Sequence, residues 1–298
     1  MNGIVFILII MILILFAENI RELRRFQTTV YQIRPPQLEG LKNTRRVVFL
    51  SDLHNYRYGR ENERLYDAIA GQNPDLILIG GDMLVRKNGN SYEQTVEVLR
   101  RLPALAPVYY ANGNHEQKLK ERPDQYEQSY KDYRERLEKS GIHFLENSSV
   151  KLHWDGLAVQ ITGLEIPLQG YEYGKKKVMS LAEIEKRVGS PSGASYQILL
   201  AHHPAYVKMY QRWGAHLILS GHLHGGIVHL PGIGGIVAPD FCLFPKYSGG
   251  IYRENGSVTV VSRGLGVHTI PLRILNPAEL VVLEFPGDKA CESRENLV

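Results

Sequence analysis

Five short apolar runs, each closing on a polar cluster, constrain this chain more than any other feature. Arg46-Val47-Val48-Phe49-Leu50 leads into Ser51-Asp52-Leu53-His54, and Leu76-Ile77-Leu78-Ile79 into Gly80-Gly81-Asp82. Val108-Tyr109-Tyr110 leads into Ala111-Asn112-Gly113-Asn114-His115, and Ile198-Leu199-Leu200 into Ala201-His202-His203-Pro204. Leu217-Ile218-Leu219 leads into Ser220-Gly221-His222-Leu223-His224-Gly225-Gly226. Runs so short and so uniformly apolar predict strands buried on both faces. In open α/β sheets, ligands gather at the carboxyl ends of such strands. One polar residue after one strand would mean nothing. Five strand ends carrying Asp52, His54, Asp82, Asn114, His202, His222 and His224 predict a site.

The donor types narrow its chemistry. Oxygen and imidazole donors without thiolate suit Mn, Fe, Zn or similar divalent ions rather than a Cys-based structural zinc. Two such ions bring four positive charges; Asp52 and Asp82 return two and a bridging hydroxide one. About one positive charge is left for a phosphate, the balance of a two-metal site with ions roughly 3.5–4 Å apart.

Helical segments alternate with the runs. Ser91-Tyr92-Glu93-Gln94 and Ser180-Leu181-Ala182-Glu183 are capping boxes. Tyr126, Tyr130, Tyr133 and Leu137 form a helical stripe that Gly141 would stop. Pro204 to Trp213 predicts a helix with Pro at its first position. Asp155-Gly156 between alternating runs signals a two-residue hairpin. Alternating strands and helices give an α/β fold class. Apolar residues are 44% and charged residues 22% of 298, ordinary globular usage that excludes collagen, a disordered tail and a polytopic membrane protein. Thirty-five Lys+Arg against 31 Asp+Glu leave a formal charge of +4, too small an excess to point to nucleic acid. Cys242 and Cys291 form neither a disulfide framework nor a CxxC site, and suit a reducing compartment.

Residues 3–17 (GIVFILIIMILILFA) are apolar on every helical face. No Lys or Arg precedes them, and Leu15-Phe16-Ala17 is a poor cleavage site, so an uncleaved anchor is expected rather than a signal peptide. Arg21, Arg24 and Arg25 follow, which by the positive-inside rule leaves the rest of the chain cytoplasmic. Fifteen residues span only about 22 Å as a helix, so Ile20 and Leu23 would need to join the span or the bilayer to thin.

Asp52-Leu53-His54, Gly81-Asp82, Gly113-Asn114-His115-Glu116, His202 and Gly221-His222-Leu223-His224 resemble, in order, the five blocks of the calcineurin-like metallophosphoesterases. The resemblance covers roughly residues 44–284 and is nearest the bacterial membrane-associated or exported branch that includes the YkuE-like phosphoesterases. Ser262-Arg263-Gly264-Leu265-Gly266 and Ile270-Pro271-Leu272-Arg273 resemble that branch's C-terminal signature. It implies an αββα sandwich of two mixed sheets flanked by helices. It further implies that Asp52, His54 and His224 hold one ion and that Asp82 bridges. Asn114, His202 and His222 would hold the second ion, and His115 would serve catalysis as a proton donor. Two departures stand out: Val85 occupies a position where the family often has an acid, and Ile227 one where the branch commonly has Gln. His203 and Glu116 adjoin the motifs without an assigned role, and His143, His153, His216, His229 and His268 are expected to be structural or superficial.

The expected organisation is an anchor with a basic flank (1–25), a linker (26–43), a phosphoesterase domain (44–284) and a tail (285–298). The expected function is hydrolysis of a phosphate mono-, di- or pyrophosphate ester by a bridging hydroxide. Gly-, Pro- and apolar-rich residues 227–247 are expected to be a long loop packed on the sheet; the sharper alternative is an apolar wall for a lipid-linked phosphate or pyrophosphate. The alternatives are a membrane-anchored metal scaffold without turnover and a nucleotide phosphodiesterase.

Overall fold

The computed structural model describes residues 2–288 except 90, 173–178, 194, 231, 239–241 and 268–270. His268, Ile270, Cys291 and most of the expected tail therefore lie outside the described residues. Along the chain, helix α1 (Asn2–Leu23) leads into strand β1 (Phe26–Gln32), followed by β2 (Arg45–Leu50), α2 (Glu63–Ala70), β3 (Leu76–Ile79), α3 (Glu93–Leu99), β4 (Val108–Tyr110), α4 (Asn114–Glu121), α5 (Tyr130–Lys139) and β5 (Ile142–Phe144). Next come β6 (Ser148–Trp154), β7 (Leu157–Leu164), α6 (Leu181–Val188), β8 (Tyr196–Ala201), α7 (Val207–Trp213) and β9 (Leu217–Ser220). The short pair β10 (His229–Leu230) and β11 (Gly234–Gly235), the hairpin β12 (Gly250–Glu254) and β13 (Ser257–Val261), and β14 (Ala278–Phe285) complete it.

Two six-stranded sheets form, in the orders β1-β14-β2-β3-β4-β5 and β12-β13-β9-β8-β7-β6. Both are mixed: β14 runs antiparallel to β2, and β6 and β12 are antiparallel edges on a parallel centre. The period-two alternation of side chains explains the layering. In β2, Val47 and Phe49 face the second sheet across a shared core with Val159, Ile198 and Leu219. Val48 and Leu50 face the opposite way, onto Leu65, Ile69, Val96 and Leu99 of α2 and α3. In the second sheet, Leu199 and Ile218 turn outward onto Ile184, Tyr210 and Trp213 of α6 and α7. The result is helices, sheet, sheet, helices, with no wet face on either central strand set.

All five expected runs are strands, and Asp155 and Gly156 both take positive φ in the β6–β7 turn. Ser180 caps α6 by accepting from Glu183 N at 3.2 Å. Two local expectations shift. The tyrosine stripe starts at Tyr130, not Tyr126, because Ser129 caps α5 by accepting from Asp132 N at 3.2 Å. The first turn from Pro204 is a 3-10 turn, and the α-helix begins at Val207.

The linker expected over residues 26–43 is a larger correction. Phe26–Gln32 pair in parallel with Ala278–Glu284 as an edge strand. Arg253 Nη2 donates to Gln32 O at 2.8 Å, tying this edge to the second sheet. An edge strand is half wet, so its sequence (FQTTVYQ) lacks the solid apolar run of a central strand. A version of the chain starting at residue 44 should therefore be less stable than one starting at residue 26, by about 2 kcal/mol, or roughly 4–8 °C in Tm for a domain this size. Equal melting temperatures would show that β1 contributes nothing.

Candidate metal centre

The carboxyl ends of β2, β3 and β4 in one sheet meet those of β8 and β9 in the other. Asp52 and His54 follow β2, Asp82 follows β3, Asn114 and His115 open α4 after β4, His202 follows β8, and His222 and His224 follow β9. Asp52, His54, Asp82, His222 and His224 all take φ between 51° and 70°. Left-handed backbone is costly for non-glycine residues and concentrates where side chains must be aimed. Here it turns each side chain back over its strand end.

Three overlapping groups could each hold a metal ion: Asp52 with His54 and His224, Asp82 with His202 and His222, and His54 with Asp82 and His115. His224 Nε2 lies 3.3 Å from Asp52 Oδ1 and 3.1 Å from His54 Nε2. His202 Nε2 lies 3.1 Å from Asp82 Oδ2 and 3.6 Å from Asp52 Oδ1, which joins the two halves of the cluster. Asn114 Oδ1 is buried without a hydrogen-bond partner. A native fold keeps so few such atoms that a cation-directed oxygen is the fitting explanation here. His202 Nδ1 is 2.7 Å from Gly80 O, so Nδ1 carries a proton and Nε2 faces the carboxylates.

Electrostatics agree with a cation at the centre. Burial opposes ionisation of Asp52 and Asp82, but the surrounding histidines outweigh it and hold both carboxyls well below the usual range. Burial opposes charge on His202 too, yet Asp82 and Asp52 push it up to about 10. A metal ion at Nε2 would do for these carboxylates what that proton does. Burial drives His224 down to about 4 against the pull of Asp52, and His222 well below its ordinary value, so these rings are neutral donors.

Two glycines allow the approach. A Cβ on Gly113 would stand 2.2 Å from Asp82 Oδ1, and one on Gly221 would stand 2.1 Å from Asp52 Oδ2. The backbone beyond each glycine then binds the same carboxylate: His115 N donates to Asp82 Oδ1 at 2.8 Å, and His222 N to Asp52 Oδ1 at 3.0 Å.

Several residues that sequence reasoning left without a role hold this frame. Glu116 accepts from Asp82 N and Met83 N at 2.8 Å, from Gly113 N at 3.1 Å and from Tyr110 Oη at 2.8 Å. It clasps the turn after β3 to the turn after β4. Glu165, after β7, accepts from Asn112 Nδ2, Lys120 Nζ and Asn147 Nδ2, bridging the two sheets beside the site. Tyr171 stacks on His203 at 5.4 Å between ring centroids and meets His222 edge-on at 5.1 Å. His203, pushed down to about 3 by burial and by His202, backs the rings as a neutral group. Only the positions of Glu116 and His203 beside motif residues hinted at a role; Glu165 and Tyr171 belong to no motif. His143 and His216 stack on Tyr109 and Tyr196, and His229 bonds Gly225 O, each away from the metal cluster.

Glu116→Ala should leave four buried backbone N–H groups unpaired and destabilise the fold by roughly 3 kcal/mol or more. Chemical denaturation reads it. A stability within 1 kcal/mol of the parent, on the order of one ordinary hydrogen bond, would show that the clasp is dispensable.

With this geometry in view, similarity to known proteins is informative. Residues 45–226 match the family model described as calcineurin-like phosphoesterase. A zebrafish (Danio rerio) transmembrane protein with metallophosphoesterase domain is 30% identical over 260 residues, 83% of this chain and 53% of that protein. The chain thus spans about half the length of that relative. The metallophosphoesterase YkuE of Bacillus subtilis is 27% identical, covering 86% of this chain and 84% of its own length. The phosphodiesterase YaeI of Escherichia coli is 28% identical, covering 80% of this chain and 82% of its own. A match across more than half the chain, together with Asp and His groups that could hold metal at its strand ends, leads to one conclusion: the chain is a member of the calcineurin-like phosphoesterase family.

Proposed function

We propose that this chain is a membrane-anchored hydrolase that cleaves a phosphate ester with two divalent ions of the Mn, Fe or Zn kind. The observation that carries the reading is the convergence of two buried carboxylates with imidazoles from four turns in overlapping groups, each able to hold an ion. Asp52, His54 and His224 would hold one ion, Asn114, His202 and His222 the other, and Asp82 would serve both. Bound there, the pair would supply Lewis acidity to a water nucleophile and positive charge for phosphoryl oxygens.

The chain's own residues do the rest. His115 Nδ1 accepts from Arg86 N at 3.1 Å, so the neutral ring carries its proton on Nε2. That nitrogen lies 4.0 Å from Asp82 Oδ2, on the cluster side of the ring. Its N–H is suited to hydrogen-bond the departing alkoxide oxygen as charge develops there. Tyr171 and the neutral His203 would wall the side on which His222 holds its ion. A lipid-linked or cell-envelope phosphate is the substrate class we favour, because an anchored enzyme works beside its membrane. The name of YaeI gives specific support to a diester.

Helix α1 extends beyond the apolar run, through Leu23, and residues 3–23 are long and apolar enough to cross a membrane; residues 3–17 are exposed, while Glu22 is buried against the domain. The last turn, Asn19 to Leu23, is tied to the domain, so the part free to cross is residues 3–18, about 24 Å at 1.5 Å per residue, and the bilayer would thin around it. The three arginines at its end favour a cytoplasmic catalytic domain.

Asp82→Asn should cost more than about 100-fold in turnover of an aryl phosphate with added Mn²⁺, beyond what losing a mere supporting residue costs, and should lower metal content. Two ions per chain at near-normal rate would end the assignment. His115→Ala should keep its metal and lose about 10²–10⁴-fold. That loss should shrink for leaving groups that need no proton; equal losses across leaving groups would make His115 a phosphate-positioning residue instead. For topology, a C-terminal reporter should be active in the cytoplasm, and a mature N-terminus near Glu18 would contradict the anchor.

A further inference from the structure

We propose that the chain makes a second membrane contact: the small β-layer following His224 rests on the bilayer beside α1, with Ile233, Leu243, Phe244 and Leu275 turned toward lipid. The proposal rests on the reading of α1 as an anchor.

Outside α1, the exposed large apolar side chains among the described residues are Val30 and these four, at 65%, 65%, 63% and 46% exposure. Scattered apolar side chains on a protein surface need no explanation, but a grouped set does. These four sit on one hydrogen-bonded layer. Ile274 pairs with the 227–229 segment through His229 N to Ile274 O at 3.1 Å and Ile274 N to Ile227 O at 3.0 Å. That segment pairs with the next through Ile227 N to Val237 O at 2.7 Å and Ile236 N to Val228 O at 2.9 Å. The last pairing is Phe244 N to Ile236 O at 2.8 Å. Phe244 and Leu275 are held at φ 48° and 53°. Bulky apolar residues rarely adopt that backbone, and here it coincides with their exposure.

The layer is fastened to the end of the anchor. Asn19 Nδ2 donates to Pro271 O at 3.2 Å, and Asn19 Oδ1 accepts from Arg273 N at 2.8 Å. Tyr56, two residues past His54, donates its hydroxyl to Leu23 O. α1 and the layer therefore share one rigid junction, and the layer continues from the point where the helix meets the domain. A lipid surface is the occupant that both features fit: the helix is apolar all round, and the layer offers a few large apolar side chains for shallow insertion.

The same face adjoins the metal cluster. Asn276, next to Leu275, donates Nδ2 to His224 O at 2.7 Å and to Gly226 O at 2.5 Å. A phosphate ester carried in the headgroup layer would thus reach the cluster without leaving the interface.

Tryptophan scanning of the full chain in phosphatidylcholine–phosphatidylglycerol vesicles with brominated acyl chains tests this. The native Trp154 and Trp213 are buried, 6% and 3% exposed, and give a low background. Phe244→Trp and Leu275→Trp should be quenched at about 5–10 Å below the headgroup–acyl boundary. Phe16→Trp should be quenched as an anchor reporter, and Lys151→Trp, on the edge strand β6, should not. A parental melting transition and unchanged hydrolysis of a soluble aryl phosphate admit each variant, and they read the catalytic proposal separately. Quenching of Phe16→Trp without quenching at 244 and 275 would overturn the contact while leaving anchor and catalysis standing. Shielding of both positions from bromolipid and aqueous acrylamide alike would assign the face to a protein partner and overturn it too. No quenching at Phe16→Trp would remove the anchor and this proposal with it.

Discussion

Two ionised carboxylates, Asp52 and Asp82, lie buried where two sheets meet, at 0% and 2% exposure. Charge taken out of water must be met by opposite charge and by hydrogen bonds, or the fold fails. Most of the local architecture answers that demand. His202 stands between the two acids, backbone N–H groups of His115 and His222 bind them directly, and glycines let those backbones approach. The demand also explains why a third buried acid, Glu116, sits nearby without disrupting the site: its oxygens are consumed by backbone N–H groups and Tyr110.

The sandwich makes such a centre possible. Parallel strands bring their carboxyl ends to one edge of each sheet, and stacking two sheets brings the two edges together. Three turns from the first sheet and two from the second then surround one small volume. Two of the three groups that could hold an ion draw donors from both sheets. The bond network between them, Glu165 with Asn112 and Lys120, sets the distance at which the sets meet.

The N-terminal helix enters this frame rather than trailing from it. Arg273, 3% exposed, donates its backbone N–H to Asn19 Oδ1 and its guanidinium to the carbonyls of Arg263, Gly264, Gly266 and Asn276. Gly266 N in turn donates to Asp52 O at 2.6 Å. Helix α1, the loop of Arg263 to Gly266 and the turn of Asp52 therefore form a continuous chain of hydrogen bonds, so the orientation of α1 relative to the Asp52 turn is built into the domain.

What the sequence determined by itself was local. A run of apolar residues buried on both faces can only be a central strand, so β2, β3, β4, β8 and β9 were legible, as were the Ser180 cap and the Asp155-Gly156 turn. The candidate ligands were legible for the same reason: each lies within a few residues of a strand that the pattern identifies. The tertiary structure alone decided everything that depends on partners far along the chain. β1 read as linker because a half-wet edge strand acquires its identity from β14, some 250 residues away in the pairing of Phe26 with Ala278. Glu165 and Tyr171 carried no signal because a lone acid or tyrosine gains a role only from neighbours that folding supplies. Phe244 and Leu275 were likewise unremarkable in sequence; their exposure on one layer beside α1 exists only once the strands have paired.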